Sequence, residues 1–408
     1  MKNAFIAAVL LNCSILCAQY NGTGSVTQGI GIVSNPNIFG CPGGRIPSIG
    51  TIIATDNSIW TVPAVVNFNS STFPFASDLH NPCTGMTYST SNEALNALNG
   101  TDIITIDPTG EIITAFIFSD NYFEMYINGI PVGKDNVPYT QFNSNIIRFK
   151  VSRPFSIAIK LVDWEENLGI GTENNNGFSH HIGDGGMVAV FKDENNQTVA
   201  LTGPNWKAQT FYSSPIKDLN CPSENGTLRL STDCSTTDSQ DGSNYYGLHW
   251  NIPSNWMNEL FDDSSWPFAS VYSNAEIGVD NKPAYTNFTN IFDDPTLNAQ
   301  FIWSTNIYLD NEVIVRFTVD QSSGSFQNEM LYHSILITPN PSHEEITVEI
   351  FGYVQSEVQI AIFDIHGNNV FPNTSYVNPI NISSFPKGIY LMQVEIKGLL
   401  SFQRFIVD

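Results

Sequence analysis

Six segments alternate apolar and polar residues with a period of two, and that repetition confines the chain to a fold built from sheets. They are EIITAFIFSD, NYFEMYIN, NIIRFKV, FSIAIKLVD, MVAVFKD and EVIVRFTV, between residues 111 and 319. β-Branched and aromatic side chains dominate them, the types that fit a pleated, half-buried surface. In NYFEMYINGIPVG, Phe123, Met125 and Ile127 fall on one face and Tyr122, Glu124 and Tyr126 on the other. Asn128-Gly129 tolerates the positive φ of a type I′ turn, so the segment predicts a hairpin. One short helix is predicted over SNEALNAL, with Thr90 and Glu93 as a capping box and Gly100 as its stop. Only 13% of the residues are charged, too few for a chain of solvent-facing helices. The fold class predicted is mostly β.

A chain of 408 residues is long for one core and predicts two or three domains. It begins MKNAFIAAVLLNCSILCAQ, one lysine, an apolar run and then small residues, the pattern of a signal peptide over 1–18. The run is short for a membrane span and no later stretch is as apolar, so no transmembrane segment is expected in the mature chain. Cys13 and Cys17 leave with the signal. Cys41, Cys83, Cys221 and Cys234 remain, an even number in an exported chain, and proximity pairs Cys41 with Cys83 and Cys221 with Cys234. No CxxC spacing favours zinc. Sixteen basic against 39 acidic residues give a net charge of -23, which repels nucleic acid and anionic lipid. That acidity could draw calcium, the one cofactor the composition suggests, although Asp233, Asp238 and Asp241 lack the spacing of a regular calcium loop.

The stretch DWEENLGIGTENNNGFSHHIGDGG, 163–186, joins two of the strand segments and gathers five carboxylates, Asp163, Glu165, Glu166, Glu173 and Asp184, beside His180 and His181. Connections of this length are often functional. As a sugar-binding rim it offers Trp164 as an aromatic platform, with Glu165, Glu166, Asn167, His181 and Asp184 as polar groups around it. As a catalytic loop it offers Glu165 facing Asp184, since glycosidase chemistry needs two carboxyl groups about 5 to 10 Å apart. As a metal site it offers at most one histidine, because adjacent side chains of an extended chain point in opposite directions. The remaining reading is a connection held by its own Asx turns with Trp164 buried. No GxSxG, HExxH, Walker loop or GxGxxG is present.

Towards the C-terminus, VDQSSGSFQNEM has the composition of a linker, and three ordered motifs follow it: Pro339-Asn340-Pro341, Asp364 to Gly367, and Pro386-Lys387-Gly388-Ile389-Tyr390. Prolines without amide donors separate linker from strand, and the other two motifs supply turns. Over about the last seventy residues the chain resembles the C-terminal sorting domain of the type IX secretion system, a family found in Bacteroidota. The resemblance implies a small Ig-like sandwich of seven strands, passage across the outer membrane in a folded state, and the secretion machinery as a partner. Upstream, SDNYFEMYINGIPVG with GDGGMVAVF, and WMNELFDDSSWPFA with AQFIWSTNIYLDNEVIVRFTV, are similar to galactose-binding-like jelly-roll sandwiches. Their order is reversed relative to that group, so two modules and one permuted sandwich both remain open. The organisation predicted is a signal peptide over 1–18, a first jelly-roll-like region over 19–219, a second over 220–319, a linker over 320–334 and the sorting domain over 335–408. The function predicted is a secreted or cell-surface, non-catalytic carbohydrate-binding or adhesion protein with an extracellular glycan as partner. An enzyme acting on polysaccharide through the 163–186 carboxylates and a structural surface component are the competing readings.

Overall fold

A computed structural model describes residues 20–98, 100–139, 142–175, 177–238, 241–320, 335–350, 358–396 and 399–408. The predicted signal peptide and all but the first residue of the predicted linker lie outside the described residues.

Residues 20–320 carry two large sheets. One has seven strands in the order Ser25–Gln28, Tyr246–His249, Lys207–Ile216, Asp310–Val319, Phe155–Val162, Tyr122–Ile127 and Ile130–Lys134. The other runs through Ser270–Tyr272, Phe301–Trp303, Gly186–Lys192, Glu111–Asp120, Ser144–Val151, Ser77–Asn81 and Met86–Thr87, with two further strands beside this path. Met125, Ile159 and Val315 from the first sheet and Phe116, Ile147 and Val190 from the second share one apolar core, the arrangement of a sandwich. Strands from either side of position 220 interleave: Asp310–Val319 lies between Lys207–Ile216 and Phe155–Val162, and Phe301–Trp303 pairs with Gly186–Lys192. The predicted division at 219/220 therefore does not separate two sets of sheets, because strands distant in sequence are neighbours in the ladder.

The first sheet is covered on both faces. Every residue of Phe155–Val162 is buried. Ile157, Ile159 and Leu161 enter the central core, whereas Ala158 joins Tyr126, Ile314 and Phe211 under Trp256 and Trp266 on the other side. Charged residues on that outer face are buried too, and each has a partner, since an unpaired buried charge costs several kcal/mol. Lys160 Nζ lies 3.2 Å from Glu312 and Arg316 Nε 2.8 Å from Asp263. Lys134 Nζ donates to the carbonyls of Asn67, Phe68 and Ser70 at 2.7 to 2.8 Å.

The predicted hairpin forms, with Ile127 opposite Ile130 and both turn residues at positive φ, Asn128 at 49° and Gly129 at 81°. The predicted helix spans Ser91–Ala97, and the Thr90 hydroxyl accepts from Glu93 N. Two details differ. The Glu93 carboxylate accepts from Ser89 N rather than from Thr90, and the helix stops at Leu98, which is extended, before Gly100 is reached. Both predicted disulfides are present, Cys41–Cys83 and Cys221–Cys234.

Residues 335–408 form a second, smaller sandwich. Ile335–Thr338, Glu345–Ile350 and Ile380–Asn381 make one sheet; Asn369–Ser375, Val358–Asp364, Gly388–Ile396 and Leu399–Val407 make the other. Among the described residues these are seven strands, the number expected, closed around Ile337, Val348, Ile360, Met392 and Phe405. Asp364 Oδ1 accepts from His366 N and Asn368 N at 2.9 Å each, which builds the predicted turn. Among the described residues no helix is long and apolar enough to cross a membrane.

Candidate functional site

The chain passes from one large sheet to the other at Asp120-Asn121, through a cis peptide bond: Glu111–Asp120 belongs to the nine-stranded sheet and Tyr122–Ile127 to the seven-stranded one. Asp120 stands opposite Gly186, and Tyr122 stands opposite Val162. The two ends of the 163–186 connection therefore return to this crossover, and bring Asp163 and Asp184 with them. Asn121 ties the joint, its Oδ1 accepting from Trp164 N at 2.6 Å.

A cavity of about 460 Å³ opens here, within the range of sites for small ligands. Asp120, Asp163, Glu173 and Asp184 line it, with Arg45 and Lys282 as the cationic side chains. His181 and Asp238 stand on its wall, as do Phe142 and Tyr308. Glu173 is ion-paired with Arg45 and accepts from the Tyr139 hydroxyl at 3.3 Å. His181 Nδ1 lies 2.9 Å from Asp238 Oδ1. Lys282 Nζ sits 4.5 Å from the centre of the Phe142 ring, a favourable placement for a cation.

The remaining carboxyl groups are less well served. Asp120 is 3% exposed and its Oδ1 accepts from Asn121 Nδ2 at 2.6 Å. Asp163 is 7% exposed, and its carboxyl accepts no hydrogen bond from the described residues. Buried carboxylates normally have donors, so Asp163 presents unused acceptor capacity to the cavity. Burial pushes the Asp163 carboxyl well up from its ordinary value, with the charges of Glu173 and Asp184 adding to the effect. Burial does the same to Asp120, reinforced by Asp184 and Asp163. Asp184 is pushed up to about 6 by burial and by Glu173. Glu173 is raised by burial even though Arg45 opposes the shift.

Of the ligand-binding residues proposed from sequence, the structure brings His181 and Asp184 to the cavity and takes Trp164, Glu165 and Glu166 elsewhere, while Asp163 and Glu173 of the same connection line it as well. Trp164 is 1% exposed; its Nε1 donates to Ser48 O at 3.0 Å and its ring meets Tyr122 edge-on at 5.7 Å. The expectation of an aromatic platform at Trp164 is thus corrected: the indole is part of the packing beneath the connection. Glu165 is likewise internal. It accepts from Gly169 N at 2.6 Å, from Gly171 N and from the Tyr212 hydroxyl, and burial pushes its carboxyl up to about 8. Glu166 accepts from Asn174 N at 2.7 Å and does not line the cavity. Glu165 and Glu166 hold the shape of the connection, which contains a small hairpin, Glu173–Asn175 with Phe178–His181.

Sequence reasoning missed Asp120, Asn121, Arg45 and Lys282 as parts of one site. Asp120 and Asn121 stand where the strand EIITAFIFSD abuts NYFEMYIN with no turn residues between, a junction that could have marked a crossover. Nothing local marks Arg45 or Lys282. Among the described residues no group of three or more His, Cys, Asp or Glu side chains is arranged to hold a metal ion. Asp241 accepts from Ser243 N and Oγ in a local turn.

Comparison with known proteins places one part of the chain. Residues 336–408 match the secretion system C-terminal sorting domain. That domain makes this a secreted or cell-surface protein and implies interaction with the type IX secretion machinery. No curated protein matches the sequence. Among solved structures, a beta-glucuronidase from Faecalibacterium prausnitzii aligns at 11% identity over 95% of this chain and 45% of its own, with a TM-score of 0.18. The chain thus spans under half of that enzyme, and a likeness of this size carries no argument about activity.

Proposed function

We propose that the large sandwich is a non-catalytic module that binds an extracellular glycan in the acidic cavity at the Asp120-Asn121 crossover, and that residues 20–320 act as one exported cargo unit. The observation that carries this reading is the Asp163 carboxyl, nine-tenths buried, lining the cavity and without a donor among the described residues. Sugar hydroxyls are donors of the required kind, and sites for small polar ligands place a few convergent polar groups on rigid elements. Export to the outside of the cell, where glycans are met, is consistent with it.

The test is a glycan array probed with the mature chain and with Asp163→Ala. Binding by the parent that disappears in the variant, with circular dichroism unchanged, supports the reading; equal binding by both would remove Asp163 and the cavity from it. Trp164→Ala is unsuited to this purpose because the indole is internal.

One observation favours an enzyme instead. Asp184, pushed up to about 6, would hold a proton at mildly acidic pH beside Asp163, as a general acid must. Release of reducing ends from a polysaccharide panel, lost in Asp184→Asn, would establish that alternative.

A further inference from the structure

The charges around the cavity do not balance. Five carboxyl groups line it against two cationic side chains. Arg45 is already engaged by Glu173 and Tyr139, and the imidazole of His181 by Asp238. What remains is Asp120, Asp163 and Asp184 facing Lys282, which rests on Phe142 and makes no ion pair among the described residues. Neutral hydroxyl groups could satisfy the acceptors but would leave the carboxyl groups able to ionise only against one another's charge. A single positive charge on the ligand would relieve both deficits at once. Among the described residues no three acidic or imidazole side chains are arranged to hold a metal ion, so the cation this pocket suits is one held by hydrogen bonds, direct or through water, rather than by a closed shell of metal ligands.

We propose that the pocket selects its glycan through a protonated primary amine, that is, a non-acetylated amino sugar whose ammonium group lies among Asp120, Asp163 and Asp184. This deepens the glycan-binding reading above and rests on it. The ammonium supplies three donors, one for the unpartnered Asp163 and the others for Asp120 and Asp184, directly or through water. Because a bound cation favours the ionised form of the surrounding carboxyls, protons leave when it binds near the pH at which Asp184 titrates, about 6.

The test is isothermal titration calorimetry of the mature chain with glucosamine, N-acetylglucosamine, glucose and putrescine, at pH 6 in two buffers of different ionisation enthalpy. Glucosamine is expected to bind about tenfold or more tighter than the two neutral sugars, with proton release, and to lose that advantage in Asp163→Asn. Lys282→Gln, which removes the competing resident cation, is expected to raise glucosamine affinity, a gain that misfolding would not produce. Neutral sugars binding as well as glucosamine, with all three lost in Asp163→Asn, would overturn the amine proposal and leave glycan binding standing. Putrescine matching glucosamine would show that the amine is not read on a sugar and would overturn the proposal. No binding of any sugar would overturn both.

Discussion

Asp163 and Trp164 are adjacent, both are buried, and they differ in what burial does to them. The Trp164 indole has a donor that is satisfied by Ser48 O and an aromatic neighbour in Tyr122, so it contributes to packing without an outstanding polar demand. Truncation to alanine leaves a large cavity, and Trp164→Ala is expected to cost about 3–5 kcal/mol in denaturant unfolding. Asp163 carries the opposite sign. Its carboxyl is raised in the folded state, so the folded chain holds a proton that the unfolded chain releases above its ordinary value of about 3.9. Stability from this group is present in acid and is lost as pH rises through the folded-state value. Asp163→Asn removes that loss, and its thermal midpoint relative to the parent should climb between pH 4.5 and pH 8; a difference independent of pH would contradict the burial argument. Neither direction is written in DWEENLG. An indole beside three acids reads equally well as a platform or as packing, and the partner that decides, Ser48, is 116 residues away.

Elements were more legible than residues where the information is local. The hairpin at Asn128-Gly129 and the turn at Asp364 follow from side chains within a few positions of each other. Alternation marked two faces of Tyr122–Ile127 but not that both are covered, because a second layer built from Phe73, Trp256 and Trp266 comes from elsewhere in the chain. The 163–186 connection shows the same limit. Its Asp163 and Asp184 reach the cavity through the strands at its two ends, and its middle is gathered around Glu165, whose carboxyl collects Gly169 N and Gly171 N. Gly171 sits at φ 55°, and a Cβ there would press into the Ser214 carbonyl. Gly171→Ala combines backbone strain with that clash and is expected to lower stability by more than about 1 kcal/mol. Limited proteolysis should then cut within 163–186 sooner than in the parent; an unchanged digestion pattern would mean that Glu165 does not fix the connection.

At the scale of the molecule, two sets of apolar clusters are built from separate stretches of chain. The sheets and buried clusters of the large sandwich draw only on residues up to Val319, and those of the sorting domain only on residues from Ile335 onward. Both disulfides lie in the first of these. The sorting domain was legible because its three motifs are contiguous and ordered. The interleaving of strands across position 220 was not, because ladder neighbours such as Phe155–Val162 and Asp310–Val319 are joined by long-range pairing alone. Units with their own cores unfold independently when few contacts cross between them. Calorimetry of the mature chain should therefore resolve two transitions, and a chain ending at Asp320 should keep the one belonging to the large sandwich at the same midpoint while losing export. Ligand bound at the Asp120-Asn121 crossover should raise that midpoint alone, since binding stabilises only the unit that carries the site. A midpoint that falls by several degrees on truncation would mean that the sorting domain supports the cargo and that the two units do not unfold independently.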